Sequence, residues 1–376
     1  MAPQSISILF SLTSKINMFA KTAFTVVSIA SSSIAWSNTC YQPFPSSAYT
    51  SGIPTWLSED FTCTGPPHIW NARPSPGKGM GVFATRAIEA GTIILKETPV
   101  IRIQPPEFRN GVAYPLAGIE LLIRTAFEDL GEDEKADVMS LTAHDPAEQN
   151  LNDIVAIFRN NAYIMGTNNS DLGLFPKGAR INHSCRPNTS QTWHEKTGRR
   201  VVRAIRRIDE GEELFATYIP LLHSHDMRQK RLNQYGFTCT CSVCAQEEAE
   251  QKASDKRRQD IRTAFNDLEA QLSLSVPKSA KGKKKVRKNL QASMQLVALV
   301  EEEGLADYYA QAYRIVAVNH ARLEDWESAA LWAHKSYQLR VVEDEDSPAT
   351  LEMQSLTGRF IESWNEEVRN KSMRQG

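Results

Sequence analysis

The chain has 376 residues, of which 41% are hydrophobic and 23% charged, and its formal net charge is −1. Such a composition belongs to an ordinary folded protein long enough for two or three cores, with no overall attraction to nucleic acid or anionic membrane. Six cysteines are too few for a disulfide scaffold of this length, and no stretch reaches the roughly 18 apolar residues of a membrane span.

Residues 1–65 read as a leader and extended linker, rich in Ser, Thr and Pro. Lys15 and Lys21 precede a charge-free segment from Thr22 to Ser58. Its run Ala23–Ala30 is either the apolar part of a signal-like sequence or one stretch of a disordered leader. In the first case Cys40 and Cys63 are free to pair in an exported product.

From His68 the texture changes. Gly77-Lys78-Gly79-Met80-Gly81 is a glycine-dense turn, and Val82-Phe83-Ala84 begins a strand. Thr92–Leu95 and Val100–Ile103 read as two further short strands. Ile119, Leu121, Leu122 and Phe127, then Leu151, Ile154, Val155, Phe158 and Ala162, recur at near-helical spacing, which predicts a helical insertion over about 104–165. Strands return at Ser190–His194, Arg200–Ala204 and Glu213–Tyr218, with Asp209–Glu212 as the turn before the last.

Beyond Ala245 the chain becomes charged and helical, and residues 246–289 read as a charged helix followed by a Lys-rich stretch. Lys278–Lys288 holds seven basic residues in eleven. That run is either a solvated linker or a nuclear-import or polyanion-binding patch. Residues 290–376 are helical, and Leu323–Ala333 places small and aromatic residues as in a helix–turn–helix repeat. One such unit cannot bury its face alone, so it must pack on a neighbour.

Cys239, Cys241 and Cys244, in C-x-C-x-x-C spacing, supply three corners of a tetrahedral metal site, and Cys185 can supply the fourth. Four thiolates leave no open coordination position, so the predicted metal is a structural zinc. Asn182-His183 directly before Cys185 reads alone as a turn, and Tyr218 alone as a core aromatic at a strand end. The glycine turn lacks the βαβ context of a dinucleotide site and the Lys-Ser/Thr ending of a phosphate loop. Its glycines nonetheless let backbone approach a ligand closely.

Taken in order, the glycine turn, Asn182-His183-Ser184-Cys185, Gly211-Glu212-Glu213-Leu214 leading to Tyr218, and the cysteine tail resemble the SET-domain family of protein lysine methyltransferases, over about residues 68–245. The resemblance implies an α+β fold: a small-stranded β SET fold over residues 66–245, with the helical insertion and a zinc-bound post-SET tail at 239–244. An all-α, TPR-like region follows. It implies S-adenosylmethionine as cofactor, held by Lys78, Gly79, Met80, Asn182, His183, Tyr235 and Phe237, with Asn161 and Tyr163 as weaker cofactor-side matches. Tyr218 matches the catalytic tyrosine. Cys185, Cys239, Cys241 and Cys244 match the zinc ligands. The layout resembles the SET and MYND group, but the stretch from Glu97 to Asn160 has no cysteine and hence no zinc-binding MYND module. MYND-less relatives are the nearer analogue.

The expected partner is a histone or other protein carrying the target lysine. No direct nucleic-acid binding is expected, because no aromatic–basic interleaving surrounds the cysteines, and the chain is expected to be a monomer. A reducing nuclear or cytoplasmic compartment suits the thiolates and the lysine run, whereas the N-terminus admits secretory entry. The rival function is a non-catalytic scaffold in which a degenerate SET fold and helical repeat serve only to bind.

Overall fold

The computed structural model describes residues 68–105, 116–144, 153–166 and 171–375. The leader and linker, with Cys40 and Cys63, lie outside the described residues. Strands β1 (Trp70–Ser75) and β2 (Gly79–Ala84) form an antiparallel hairpin in which Ser75 faces Gly79. Gly77 and Gly79 both take φ 72° there, a left-handed conformation that a side chain would strain. β3 (Ile93–Glu97) and β4 (Ile101–Ile103) follow.

The insertion holds α1 (Leu116–Glu128), α2 (Glu132–Met139) and α3 (Ile154–Asn161). Asp153 starts α3 by accepting the Val155 N–H at 3.1 Å, the usual work of a helix-capping carboxylate. The helical reading to residue 165 overruns by four residues. Ala162–Met165 is instead β5, paired antiparallel with β6 (Asp171–Leu174), which also carries β4. A short β-branched and aromatic run such as Ala-Tyr-Ile-Met suits a pleated ladder once a partner strand is present. Ile123, Val138, Ile157 and Phe158 close the insertion against Ile101, Ile103 and Leu174.

β7 (Asn182–His183), β8 (Thr189–His194), β9 (Arg199–Ala204) and β10 (Glu213–Ala216) complete three small sheets. Their orders are β1-β2-β10-β7, β3-β9-β8 and β4-β6-β5. All pairs are antiparallel except β10 with β7, which run parallel, Phe215 facing Asn182 and Ala216 facing His183. The last expected strand ends at Ala216, and Tyr218 lies just past it.

α4 (His225–Leu232) leads into the cysteine segment. α5 (Glu248–Glu269), α6 (Ala280–Glu302), α7 (Tyr309–Ala321), α8 (Trp326–Glu343) and α9 (Pro348–Gln375) follow, each packing on the next through α6, α7, α8 and α9. The lysine run is not a linker, and the boundary placed at residue 289 falls inside α6. Ser279 caps that helix by accepting the Gly282 N–H at 3.0 Å, and Lys and Arg are good helix formers. Val286, Ser293, Leu296, Val297 and Val300 then supply one buried face. The composition looked solvated because only Val286 of this face lies within the basic stretch.

The α7–α8 hairpin bears out the repeat-like reading: Ala317, Ala329 and Ala333 are fully buried along its seam and let the two helices approach closely. The end of α8 docks on the β8–β9 edge. Arg203 donates to the Val342 carbonyl, and the His194 ring meets the Glu343 carbonyl at 2.7 Å. No helix among the described residues is long and apolar enough to cross a membrane. Ala329→Leu should force the seam apart and lower the unfolding free energy by about 1–3 kcal/mol, read from denaturant unfolding. An unchanged midpoint would mean that this seam tolerates added volume and is looser than its burial implies.

Candidate active site

β10 lies between β2 and β7, and its residues bind both. Glu213 is the hub. One carboxylate oxygen accepts from Ser75 Oγ at 2.9 Å and Lys78 Nζ at 3.2 Å, the other from Asn182 Nδ2 at 2.8 Å. Asn182 Nδ2 also donates to the Met80 carbonyl at 3.0 Å, so β7 is tied to the backbone of the glycine turn. Lys78 further lies over the Phe215 ring at 4.5 Å. Gly81 is the glycine this packing requires: a Cβ there would strike the Glu213 carboxylate and stand 3.0 Å from Asn182 Nδ2. At Gly79 the space a Cβ would enter is open, which leaves the turn able to take a ligand against its backbone.

The next residues along β7 carry the ring chemistry. His183 is buried, and its Nδ1 accepts the Tyr218 N–H at 3.1 Å. Burial pushes its pKa down to about 4, so the ring is neutral and carries its proton on Nε2, which faces Cys185 Sγ at 3.5 Å. Tyr218 donates its hydroxyl to the Ile181 carbonyl at 2.8 Å. Burial holds that phenol well above its usual pKa, so it stays protonated. Ring centroids of His183, Tyr235 and Phe237 lie 5.4, 5.2 and 6.4 Å from that of Tyr218, giving an aromatic enclosure around it.

Tyr235 and Phe237 are held by α4, where Gln229 donates to the Phe237 carbonyl at 2.9 Å and accepts the Cys239 N–H at 3.0 Å. Gly236 between them has φ 77°, and a Cβ there would collide with the His144 ring. The stretch of the insertion after α2 therefore reaches the cysteine tail. Asn161 lies at the end of α3 and spends its amide on the Thr142 and Ile157 carbonyls at 2.8 and 2.9 Å. Tyr163 lies under the Arg200 guanidinium at 3.5 Å and edge-on to Phe175 at 6.2 Å.

The sulfurs of Cys185, Cys239, Cys241 and Cys244 all lie within 4.8 Å of one another, and Cys185 and Cys244 are 3.6 Å apart. Metal–sulfur bonds of about 2.3 Å at tetrahedral angles separate sulfurs by about 3.8 Å, so the four fit one tetrahedral ion. The cluster is buried except at Cys244.

The sequence that builds this site has counterparts in known proteins. A SET-domain family model matches residues 79–219. The histone-lysine N-methyltransferase set5 of Schizosaccharomyces pombe is 31% identical over 274 residues, covering 71% of this chain and 76% of that one. The chain belongs to the SET-domain protein lysine methyltransferases. The N-lysine methyltransferase SMYD2 of Gallus gallus is 41% identical over 96 residues, 25% of this chain and 20% of its own. The histone-lysine N-methyltransferase SET5 of Yarrowia lipolytica is 40% identical over 85 residues, 22% of this chain and 19% of its own.

In this SET-domain methyltransferase the structure thus gathers Lys78, Met80, Asn182, His183, Tyr218, Tyr235, Phe237 and the four cysteines into one connected region. Sequence reasoning named Gly81 and Glu213 only as members of motifs, with no role of their own, and missed Ser75 and Asn188. Asn188 is fully buried, donating to the Glu213 carbonyl at 2.8 Å and accepting the Phe215 N–H at 2.7 Å. Nothing in Gly-Glu-Glu-Leu distinguishes Glu213 from its neighbour Glu212 except its alternation toward the β2 face. Glu213→Ala should cost about 1–3 kcal/mol, because it strands the donors of Ser75 and Asn182. Chemical unfolding checks this, and a change below about 0.5 kcal/mol would remove Glu213 from the role of hub.

Proposed function

We propose that this methyltransferase takes its methyl group from S-adenosylmethionine and places it on the side-chain amine of a lysine in a protein substrate, with Tyr218 as the catalytic residue. The observation that carries the reading is the position of the Tyr218 hydroxyl. It is anchored to the Ile181 carbonyl, next to His183 and enclosed by aromatic rings.

The open face of the glycine turn fits a ligand bound through backbone, with Lys78, Gly79 and Met80 on one side and Asn182 and His183 on the other. Bound there, S-adenosylmethionine supplies a methyl group on a positive sulfonium. The residues of this chain do the rest. A lysine ammonium, with an ordinary pKa near 10.4, must give its proton to solvent and reach the site as neutral amine, and burial away from water beside a bound sulfonium would disfavour its charged form. Tyr218 uses its proton on Ile181, so its oxygen lone pairs remain to accept an N–H from the amine. That contact turns the amine lone pair toward the methyl group, and positioning of this kind supplies several kcal/mol. Tyr235 and Phe237 wall the site and exclude water.

Cys185, Cys239, Cys241 and Cys244 would hold zinc with every position filled, so the metal's part is to fix the Tyr235–Phe237 segment against β7. The names of the Schizosaccharomyces and Yarrowia relatives make histones the first substrates to test.

Titration calorimetry with S-adenosylhomocysteine should show one site per chain, and a folded protein that binds neither it nor S-adenosylmethionine would overturn the cofactor assignment. Tyr218→Phe should leave that affinity within a few-fold while lowering methyl transfer about 100-fold, followed by mass spectrometry of the methylated lysine. Undiminished turnover would show that another group orients the amine. Elemental analysis should find one zinc per chain, and its removal by a chelator should lower the melting temperature. A metal-free protein of unchanged stability would leave the cysteines as a buried thiol cluster only.

A further inference from the structure

A buried ion pair of the helical region is bonded, through its arginine, to the backbone behind the site. Arg258 on α5 and Glu303 at the end of α6 both have fully buried side chains. Arg258 Nε donates to Glu303 Oε2 at 2.9 Å, and its two terminal nitrogens go elsewhere. Nη1 donates to the Leu221 carbonyl at 2.8 Å and Nη2 to the Cys185 carbonyl at 3.1 Å. Those carbonyls lie on the two chain segments that leave β7 and β10, shortly after His183 and Tyr218 respectively. One planar guanidinium therefore spans both exits, which a lysine's single nitrogen cannot do.

The contact is returned from the other side. Arg186 Nε donates to the Glu303 carbonyl at 2.8 Å. Gly304, with φ 63°, presses so close that a Cβ would stand 3.0 Å from Arg186 Cδ. Glu303 is itself fixed by Ser254 at 2.8 Å and Arg257 at 2.6 Å. A buried ion pair adds little stability over an apolar pair of the same volume, so the role of this one is to be sought in what it holds.

We propose that Arg258, oriented by Glu303, is a positioning residue for methyl transfer: it fixes the spacing of the His183 and Tyr218 segments from the helical region. The inference rests on the assignment of Tyr218 above. The pair holds no substrate and acts only through the two carbonyls.

The test is the double variant Arg258→Met with Glu303→Leu in the full chain, which replaces the ions by apolar volume. It is expected to stay folded with a lowered melting temperature, because the apolar pair replaces the ions but leaves the Leu221 and Cys185 carbonyls without this donor. Its kcat is expected to fall 10- to 100-fold with KM for S-adenosylmethionine changed less than about 3-fold, because a misplaced group acts on the chemical step. Hydrogen exchange at the Tyr218 amide, which is bonded to His183, should quicken at least about 10-fold while the β3–β9 ladder keeps its protection. A folded double variant with kcat and Tyr218 exchange both within about 2-fold of native would overturn the proposal.

If the double variant does not fold, Arg258→Lys decides. It keeps the charge beside Glu303 but loses one carbonyl, so kcat and exchange should move in the same direction, and native values of both would overturn it equally. Should the native protein transfer no methyl group, the function proposed above fails, and the exchange measurement alone still tests the positioning role.

Discussion

The parallel pairing of β7 with β10 brings two short segments, remote in sequence, into contact along only a few residues, and this placement constrains the rest of the site. Two residues of ladder are too short to hold themselves, so side chains do the work. Asn188 fills the gap beyond the ladder with three hydrogen bonds to Glu212, the Glu213 carbonyl and the Phe215 amide. A fully buried amide left without those partners would cost about 1–3 kcal/mol, so the register has a steep penalty for slipping. Once it is set, Asn182 meets the glycine turn, His183 receives the Tyr218 amide, and Cys185 points into the sulfur cluster.

The cluster extends that constraint outward. Cys185, Cys239 and Cys241 share one core with Ile219, Leu221 and Leu232, and the same core continues through Ile261, Phe265, Leu296 and Val300 of the helices. A metal held by the four sulfurs would cross-link the cysteine tail to β7, and its binding energy would count as folding energy for the Tyr235–Phe237 segment. Gln229 does part of the same work without a metal by bonding the backbone on both sides of Thr238.

Local chemistry was legible in the sequence wherever a residue's role depends on its near neighbours. The C-x-C-x-x-C spacing, the glycine turn and the strand at Arg200–Ala204 all read directly, and each is found in place. Roles that depend on a remote partner were not legible. Glu213, Arg258 and Glu303 sit among other charged residues, and only the tertiary fold separates the buried ones from the solvated ones. Gly236 carries no signal in the sequence, because its steric reason, the His144 ring, comes from the stretch of the insertion after α2. The lysine run misled for a related cause. Its charge density argued for solvent, while the apolar positions that make α6 a packed helix mostly follow it.

The helical region is joined to the strands at two places with different chemistry. At the β8–β9 hairpin the donors come from the strands: buried Arg203, and His194 beside it, meet backbone carbonyls at the end of α8. At the α5–α6 corner the contacts are buried ions and converge on the segments behind His183 and Tyr218. Apolar side chains would have filled the corner as well, but dispersion is non-directional and could not distinguish one carbonyl placement from another. A guanidinium can, because its donors lie in one plane at fixed angles. The corner thus converts the packing of α5 against α6 into a defined distance between two backbone segments. Anything that shifts those helices relative to each other must then be felt at Tyr218 before it is felt at the glycine turn, which is tied to β10 independently through Glu213.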